Sequence, residues 1–240
     1  MRMRLDRYLS NNSEMSRTQA QKAIRAGRIR VDGVVVTDAA CSLSDESEVA
    51  CEDGVIERRQ PRYLMLNKPV GVICSTEDRQ HRTVLDLIKI EERRGLHPVG
   101  RLDIDTTGLV LLTDDGDWSH RVTSPRKKCP KSYLVQLNSE LSLEGENALR
   151  DGVLLRNEKR PTLPAMVERL GTRQIRLIIQ EGKYHQVKRM LAVVGNRVIS
   201  LHRECIGDIC LDPALNPGEY RPLSQNEITS VVIVRSHRLL

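Results

Sequence analysis

At 240 residues, the chain can hold one large domain, or an ordinary domain together with a small module. Hydrophobic residues make up 39% and charged residues 29% of it, proportions that exclude wholesale disorder. The net charge of +6 favours a polyanionic partner, and the sequence contains no apolar run long enough to span a membrane.

The charges are unevenly spread along the chain. Residues 1–40 hold eight basic and four acidic side chains, whereas residues 41–60 hold two basic and six acidic ones. A basic stretch followed by an acidic stretch indicates a boundary between two modules. The beginning of the chain also lacks the apolar core of a signal peptide, so we expect a cytoplasmic protein.

The chain has six cysteines, at positions 41, 51, 74, 129, 205 and 210. They form no CxxC pair and no regular framework, which predicts reduced thiols rather than disulfides. His202, Cys205 and Cys210 do not have the spacing of a usual zinc site, so we predict no metal there.

The first forty residues carry signals for two helices and a hairpin. Apolar residues recur at helical spacing over 5–9, which predicts a short first helix. Ser16 and Gln19 form the S-x-x-Q pattern of a capping box, and Gly27 stands where the second helix should end. Residues 28–36 predict two short strands around an Asp-Gly turn.

Basic side chains continue from the second helix into the first strand without an acidic partner in the sequence. Residues 4–50 resemble the S4 family of RNA-binding domains, which hold structured RNA with a helix pair and an adjoining strand. The resemblance implies contacts to phosphates that position RNA without reading its sequence. The alternative is a solvated face. The matching residues are Arg17, Lys22, Arg25, Arg28 and Arg30.

The polar residues 53–62 predict a linker, so we expect an S4-like domain over 1–58 and a second domain over 59–240. In the second domain, strands are predicted at 63–69, 108–113, 133–137, 174–179 and 198–201, and helices at 142–150 and 185–194. Ser224 and Glu227 form a late capping box. We therefore predict an α+β fold with a mixed, mostly antiparallel sheet and flanking helices.

A Gly- and Thr-rich loop that leads into a predicted buried strand contains Asp103. A carboxylate presented from a rigid frame suits chemistry in a cleft, although the same residue could cap a turn. Asp114, Asp115 and Asp117 follow the strand and are typical of a hairpin turn. A metal site built from Asp103, Asp105 and this cluster is poorly specified, because the calcium-loop spacing is absent.

Four sequence blocks follow one another in the second domain. The most informative is Gly-Arg-Leu-Asp-x-x-Thr-Thr-Gly-Leu, which begins at Gly100. The other three are Asn67-Lys68-Pro69-x-Gly71, residues 131–135 and residues 181–190. In their chain order the blocks resemble the bacterial pseudouridine synthases, in particular the group that acts on small-subunit ribosomal RNA. The His-Gln-Val-Lys sequence from His185 and the double Thr106-Thr107 favour that small-subunit group.

The resemblance implies that uridine is isomerised without a cofactor or a metal: its N-glycosidic bond breaks, the uracil turns, and a carbon–carbon bond forms. Asp103 would attack the anomeric carbon or remove a neighbouring sugar proton. Tyr133 would pack against the base, with a core strand residue as the alternative. Lys188 would hold Asp103 ionised and oriented, with Arg189 as the competing assignment and a solvated lysine as a further alternative.

The target nucleotide must leave its stack before an enzyme can reach its sugar and base. Residues 118–139 hold five basic and no acidic side chains together with Pro125 and Pro130. We expect a loop rather than a helix there, forming a phosphate-contacting rim, with a solvated loop as the alternative. The RNA-binding residues predicted outside the S4 stretch are Arg101, Arg126, Lys127, Lys128, His185 and Arg189.

The expected partner is 16S ribosomal RNA, free or in a partly assembled small-subunit particle, and the expected state is a monomer. Three alternative functions remain. The first is a large-subunit ribosomal RNA pseudouridine synthase. The second is a non-catalytic S4-type RNA-binding or assembly protein, and the third is a metal-dependent nuclease that uses the aspartate cluster.

Overall fold

The computed structural model describes residues 3–231 of the chain. Contacts divide the protein into two compact units, one ending at Pro61 and the other beginning at Arg62. The sequence places this boundary after residue 58. No helix in the described range is long and apolar enough to cross a membrane.

The first unit contains two helices and two small sheets. Its elements are β1 (Met3–Arg4), α1 (Leu5–Asn12), α2 (Arg17–Arg25), β2 (Arg30–Val31), β3 (Val34–Val35), β4 (Ser42–Leu43), β5 (Val49–Cys51) and β6 (Gly54–Val55). One sheet has the order β3-β2-β5-β6, and β1 pairs with β4. The helices bury Leu5, Leu9 and Ile24 against Ile29 and Val49.

Local signals in the first unit are confirmed. The Ser16 hydroxyl accepts a hydrogen bond from the backbone N–H of Gln19, and the Gln19 side chain accepts one from the Ser16 N–H, so the capping box is complete. Asp32 and Gly33 both have positive φ, as the turn between β2 and β3 requires.

Part of the predicted linker is wrong, because β6 adds a strand to the sheet there. The next residue, Ile56, is buried in the core, and its carbonyl accepts a hydrogen bond from the Tyr8 hydroxyl at 2.7 Å. Two apolar residues within a polar stretch therefore belong to the domain, since they complete its sheet and its core.

The second unit is built on one large sheet. Its strands are β7 (Tyr63–Lys68), β8 (His97–Val99), β9 (Thr107–Thr113), β10 (Lys131–Leu137), β11 (Met166–Gly171), β12 (Gln174–Ile179), β13 (Val198–Ile206), β14 (Ile209–Cys210) and β15 (Tyr220–Pro222). Its helices are α3 (Gly116–Thr123), α4 (Leu143–Asp151), α5 (Gln186–Val193) and α6 (Gln225–Ser230). The predicted Ser224 capping box begins α6.

The strand order is β11-β12-β10-β13-β9-β7-β15, with β8 also paired to β9 and β14 to β13. In the described range, every pair of these strands is antiparallel except β9 with β13. This architecture confirms the predicted α+β class with a mixed, mostly antiparallel sheet. Strands β8, β11, β14 and β15 were not predicted; three of them have only two or three residues, too few for a clear period.

Alternating residues of β9 divide the apolar side chains between two clusters. Val110 and Leu112 belong to the larger cluster, which also contains Tyr133. Leu109 and Leu111 belong to the smaller cluster. Since every residue of β9 from Gly108 onward is buried, this strand is a fixed frame for the loop that precedes it.

The hairpin turn predicted after β9 is wrong, and so is the first part of the loop predicted over 118–139, because residues 118–123 belong to α3. The Asp115 carboxylate accepts hydrogen bonds from the N–H groups of Asp117 and Trp118 and so caps α3. Asp114 instead forms an ion pair with Arg62 at 2.8 Å. The helix continues to Thr123 because Trp118 and Val122 are buried on its inner face.

Two of the six predicted thiols are joined in a disulfide between Cys205 and Cys210, so the prediction of reduced thiols is wrong for this pair. Strands β13 and β14 form a tight hairpin around Gly207 and Asp208, in which the two cysteines lie directly opposite each other. A search for CxxC spacing does not detect such a cross-strand pair, whereas the Gly-Asp turn between them was a usable signal.

Candidate active site

The loop between β8 and β9 contains Asp103, and hydrogen bonds from Lys68 hold the backbone of this loop in place. The Lys68 side chain is fully buried at the end of β7. Its Nζ donates to the carbonyl oxygens of Pro69 at 3.0 Å and Thr106 at 2.8 Å, and reaches that of Ile104 at 3.4 Å. Burial lowers the pKa of Lys68. The sequence marked this residue as part of a block but assigned it no role.

Gly108 allows β13 to approach the end of this loop. Gly108 has a φ of +99°, and a Cβ at this position would lie 2.3 Å from the carbonyl oxygen of Arg203. The two residues are partners in the parallel pairing of β9 with β13. The glycine is therefore required for both its backbone conformation and the strand contact.

Two basic side chains lie against the Asp103 carboxylate. Nζ of Lys188 donates to Oδ2 at 3.0 Å, and Nε2 of His185 lies 3.4 Å from Oδ1. Lys188 also donates to Asp105 at 2.6 Å and lowers the pKa of that carboxyl. Burial opposes the charged form of Lys188, but its hydrogen bonds to the two aspartates raise its pKa. The ammonium is thus shared between two carboxylates.

Lys188 and Arg189 leave α5 in different directions. Arg189 donates to Glu158 at 3.4 Å, to the Tyr184 carbonyl at 3.1 Å and to the Arg156 carbonyl. Lys188, one residue earlier, extends toward Asp103. Consecutive residues of a helix point about 100° apart, so the buried stripe of α5 determines which one reaches the loop.

Tyr133 shares a cleft with Asp103. It is 8% exposed and belongs to the larger apolar cluster, and in the sheet it pairs with Leu177 and Arg203. Tyr133 therefore packs in the core and also lines the cleft. The apolar walls of the cleft include Ile179, Val187 and Leu201, and its polar lining includes Asp103, Thr106, Lys131, Lys188 and Arg203.

Comparison with known proteins identifies the family. The family model described as RNA pseudouridylate synthase matches residues 62–193, and the S4 domain model matches residues 3–49. The chain belongs to the RNA pseudouridylate synthase family. The predicted resemblance to the pseudouridine synthases, with an N-terminal S4 domain, is thereby confirmed.

Similar proteins cover nearly the whole synthase. It is 54% identical over 230 residues to the ribosomal small subunit pseudouridine synthase A of Yersinia pestis, covering 95% of this chain and 98% of the relative. It is 52% identical over 231 residues to the protein of the same name from Escherichia coli K12, covering 96% and 100%. A crystal structure of a pseudouridylate synthase matches with a TM-score of 0.71 and 46% identity, covering 96% and 100%.

The synthase is therefore an isomerase that acts on RNA, rather than a non-catalytic RNA-binding protein or a nuclease. Among residues 3–231, no three His, Cys, Asp or Glu side chains are arranged to hold a metal ion. Of the three residues considered as a zinc site, His202 forms a hydrogen bond of 2.8 Å between its Nδ1 and the Thr107 hydroxyl, and Cys205 and Cys210 form a disulfide with each other.

The predicted basic residues of the S4 domain fall into two groups. Arg17 lies 3.4 Å from the buried carboxylate of Asp6, so the expectation that it has no acidic partner is wrong. The first helix supplies that partner, eleven positions earlier in the sequence. The other four side chains, Lys22, Arg25, Arg28 and Arg30, are exposed and are called the S4 basic surface below.

Basic residues also lie at the edge of the cleft. Arg101 is exposed and lines it, and so does Pro125. Pro125 begins a 3-10 turn that ends at Lys127, and Arg126, Lys127 and the following Lys128 are all exposed. Basic side chains thus stand at or near the edge of the cleft, whereas Arg189 is engaged with Glu158.

One aromatic residue of the cleft was missed by the sequence analysis. Tyr184 is 74% exposed, and its ring stacks on that of His185 with the centroids 3.8 Å apart and the planes 20° apart. His185 itself has the left-handed φ of +47° at the start of α5. The predicted RNA-binding residue His185 therefore contacts both an exposed ring and Asp103. The signal available in the sequence was a tyrosine in a chain that has only five.

Proposed function

We propose that this synthase isomerises one uridine of 16S ribosomal RNA to pseudouridine, with Asp103 as the catalytic carboxylate. The observation that carries the proposal is the ion pair of Asp103 with Lys188, 3.0 Å long, in a cleft that Tyr133 also lines. The Asp103 side chain is 27% exposed, so a bound nucleotide can reach it while the protein holds its orientation.

The chemistry requires a carboxylate beside the sugar. The C1′–N1 bond breaks, the uracil turns, and C5 bonds to C1′; C5 loses its proton and N1 gains one, so that the atoms balance without a redox step. Asp103 either attacks C1′ or takes the C2′ proton, and both roles need its ionised form. Lys188 and His185 orient that carboxylate. The Tyr133 ring packs against the base.

The target nucleotide reaches the cleft by leaving its stack. The phosphates on either side of this nucleotide contact exposed basic side chains beside the cleft. These side chains are Arg101, Arg126, Lys127 and Lys128. The S4 basic surface holds a second stretch of the RNA. Contacts of this kind contribute affinity and position rather than sequence discrimination. Selection of one uridine therefore depends on the shape of the RNA around it.

The preference for small-subunit RNA is supported by the names of the two relatives, which are 54% and 52% identical over nearly their full lengths. We further propose that the enzyme works in the cytoplasm as a monomer. Its substrate is 16S ribosomal RNA, either free or in a partly assembled small-subunit particle.

Single-turnover conversion by the Asp103→Asn variant tests the catalytic assignment. The substitution preserves shape and removes charge, so we expect RNA binding to persist while the chemical step slows by at least roughly a thousandfold. Asp208→Asn, in an exposed hairpin turn, is the matched control and should convert uridine at the normal rate. A near-normal rate for Asp103→Asn would remove Asp103 from the mechanism.

The choice of RNA is tested separately with the unaltered enzyme. Naked 16S RNA, naked 23S RNA and partly assembled small subunits are each incubated with the enzyme, and new pseudouridine is mapped by selective chemical modification and primer extension. We expect one site in small-subunit RNA. A single site in 23S RNA instead would identify a large-subunit enzyme.

A further inference from the structure

Arg203 is a buried cation in the cleft with unused hydrogen-bonding capacity. It lies on β13, is 3% exposed, and its Nε donates to the Leu109 carbonyl at 2.8 Å. Its Nη2 is also buried and, within residues 3–231, has no hydrogen-bond partner. Buried guanidinium groups are normally saturated with acceptors, because an unused charged donor is costly. Arg203 is therefore placed to meet an acceptor that a ligand brings.

A second unpartnered group lines the same cleft. The Thr106 side chain is 1% exposed, and its Oγ1 has no partner in the described part of the protein. Thr106 precedes β9 by one residue, and Arg203 pairs with Gly108 on that strand. Two buried polar groups, one on β13 and one in the loop just before β9, thus lie unsatisfied in one cleft, which indicates a polar ligand rather than a local defect.

Strand register places Arg203 beside Tyr133. The two residues are direct partners in the antiparallel pairing of β10 with β13. Side chains of such partners lie on the same face, with Cβ atoms about 4.5–5.5 Å apart. If uracil packs on the Tyr133 ring, as the proposed function requires, then the guanidinium lies at the edge of the base, where its carbonyl oxygens are.

The local charge also favours a ligand that becomes anionic. Lys131 lines the cleft near Arg203, and its Nζ donates to the Cys129 carbonyl at 2.8 Å. Burial lowers the pKa of Lys131, and the charge of Arg203 lowers it further. The nearby carboxylates Asp103 and Asp105 are both bound to Lys188. This part of the cleft therefore presents two positive groups close together.

We propose that Arg203 stabilises the departing uracil by donating from Nη2 to one of its carbonyl oxygens, with Lys131 adding a second positive charge. When the C1′–N1 bond breaks, its electron pair stays on N1 and spreads to O2 and O4. Asp103 meets the electron deficiency at C1′ or takes the C2′ proton. Arginine keeps its proton throughout, so its contribution is a fixed donor aimed at developing charge.

A phosphate is a poorer occupant of this position. Arg203 is almost fully buried, whereas exposed basic side chains such as Arg126, Lys127 and Lys128 are available to a phosphate that keeps its hydration. A planar base edge needs only one or two in-plane donors and brings no full charge until the bond breaks. The buried guanidinium therefore matches the base better than it matches the backbone.

The test varies the leaving group. RNA with either uridine or 5-fluorouridine at the target position is incubated with excess Arg203→Met enzyme, and loss of the original nucleoside is followed in a single turnover. Fluorine withdraws electrons and stabilises the uracil anion by itself. We expect the uridine reaction to slow by about 100- to 1,000-fold, the range seen when one oxyanion donor is removed. For 5-fluorouridine we expect the slowing factor to be at least roughly tenfold smaller than for uridine. Such a tenfold difference in rate corresponds to about 1.36 kcal/mol of transition-state stabilisation.

Controls separate this role from a structural one and from failure of the proposed function. Arg176→Met removes an arginine of the same sheet that is ion-paired with Glu204 and Glu168, and it should convert both substrates normally. Conversion by unaltered enzyme and by this control shows that the enzyme and substrate are competent. Equal slowing of both substrates by Arg203→Met, or no slowing, would overturn the proposal.

If Arg203→Met does not fold, Arg203→Lys is measured with the same two substrates. Lysine keeps the charge but reaches less far, so we expect a smaller loss that is again larger for uridine than for 5-fluorouridine. Equal losses on the two substrates, or unchanged rates on both, would contradict a role in leaving-group stabilisation.

Discussion

Replacing Lys188 with methionine removes the ammonium beside Asp103 and leaves a side chain of similar length. The lost contacts are hydrogen bonds of 3.0 Å to Asp103 and 2.6 Å to Asp105, of which only the first serves the chemistry proposed here. A hydrogen bond to a charged group contributes about 1.5–3 kcal/mol. The side chain is 26% exposed, so we take the lower half of that range. About 1.5–2 kcal/mol corresponds to a roughly 10- to 30-fold slower chemical step.

Single-turnover kinetics at saturating enzyme measure that step apart from RNA affinity, which is titrated separately. Affinity should change little in Lys188→Met, because the ammonium faces carboxylates. The matched control is Arg189→Met, which removes the neighbouring cation that binds Glu158 and should leave the chemical step unchanged. A normal step in Lys188→Met together with a collapsed one in Arg189→Met would refute this reasoning.

Three further predictions concern stability and RNA binding. Gly108→Ala should lower the free energy of unfolding of the second unit, measured in urea, by more than the roughly 1–3 kcal/mol that backbone strain alone costs. The control is Gly218→Ala, because Gly218 has a similar φ but open space where a Cβ would lie. Equal losses in the two variants would show that the contact with β13 is unimportant. Replacing Lys22, Arg25 and Arg28 of the S4 basic surface with alanine should flatten the slope of log binding constant against log salt concentration by about 2, because each single-strand phosphate contact contributes about 0.7. An unchanged slope would exclude phosphate contacts at these residues. The Arg4 guanidinium holds the pKa of Asp6 well below its usual range. This carboxylate therefore stabilises the first unit above about pH 4, and progressively less as the pH falls toward its folded pKa. Asp6→Asn should remove that pH dependence of the thermal unfolding temperature, and an undiminished dependence would place its origin elsewhere.

Much of the fold was predictable because its signals are local. The caps at Ser16 and Ser224 and the periodicity of α1, α2, α4 and α5 depend on residues a few positions apart, and the structure confirms them. Strands β7, β9, β10 and β12 lie where alternating or continuous apolar runs predict them. The block from Gly100 identified the loop that presents Asp103, and its meaning came from resemblance, because an aspartate in a turn is chemically ambiguous by itself.

Tertiary structure decided which of these residues meet. Lys188 lies 85 positions from Asp103 in the sequence, and only the direction in which α5 packs selects it over Arg189. Arg203 lies beside Tyr133 through strand register, and the disulfide forms because a hairpin places two cysteines opposite each other. Register and packing join residues that are far apart in the chain, and a local period contains no information about which distant strand or helix will face it.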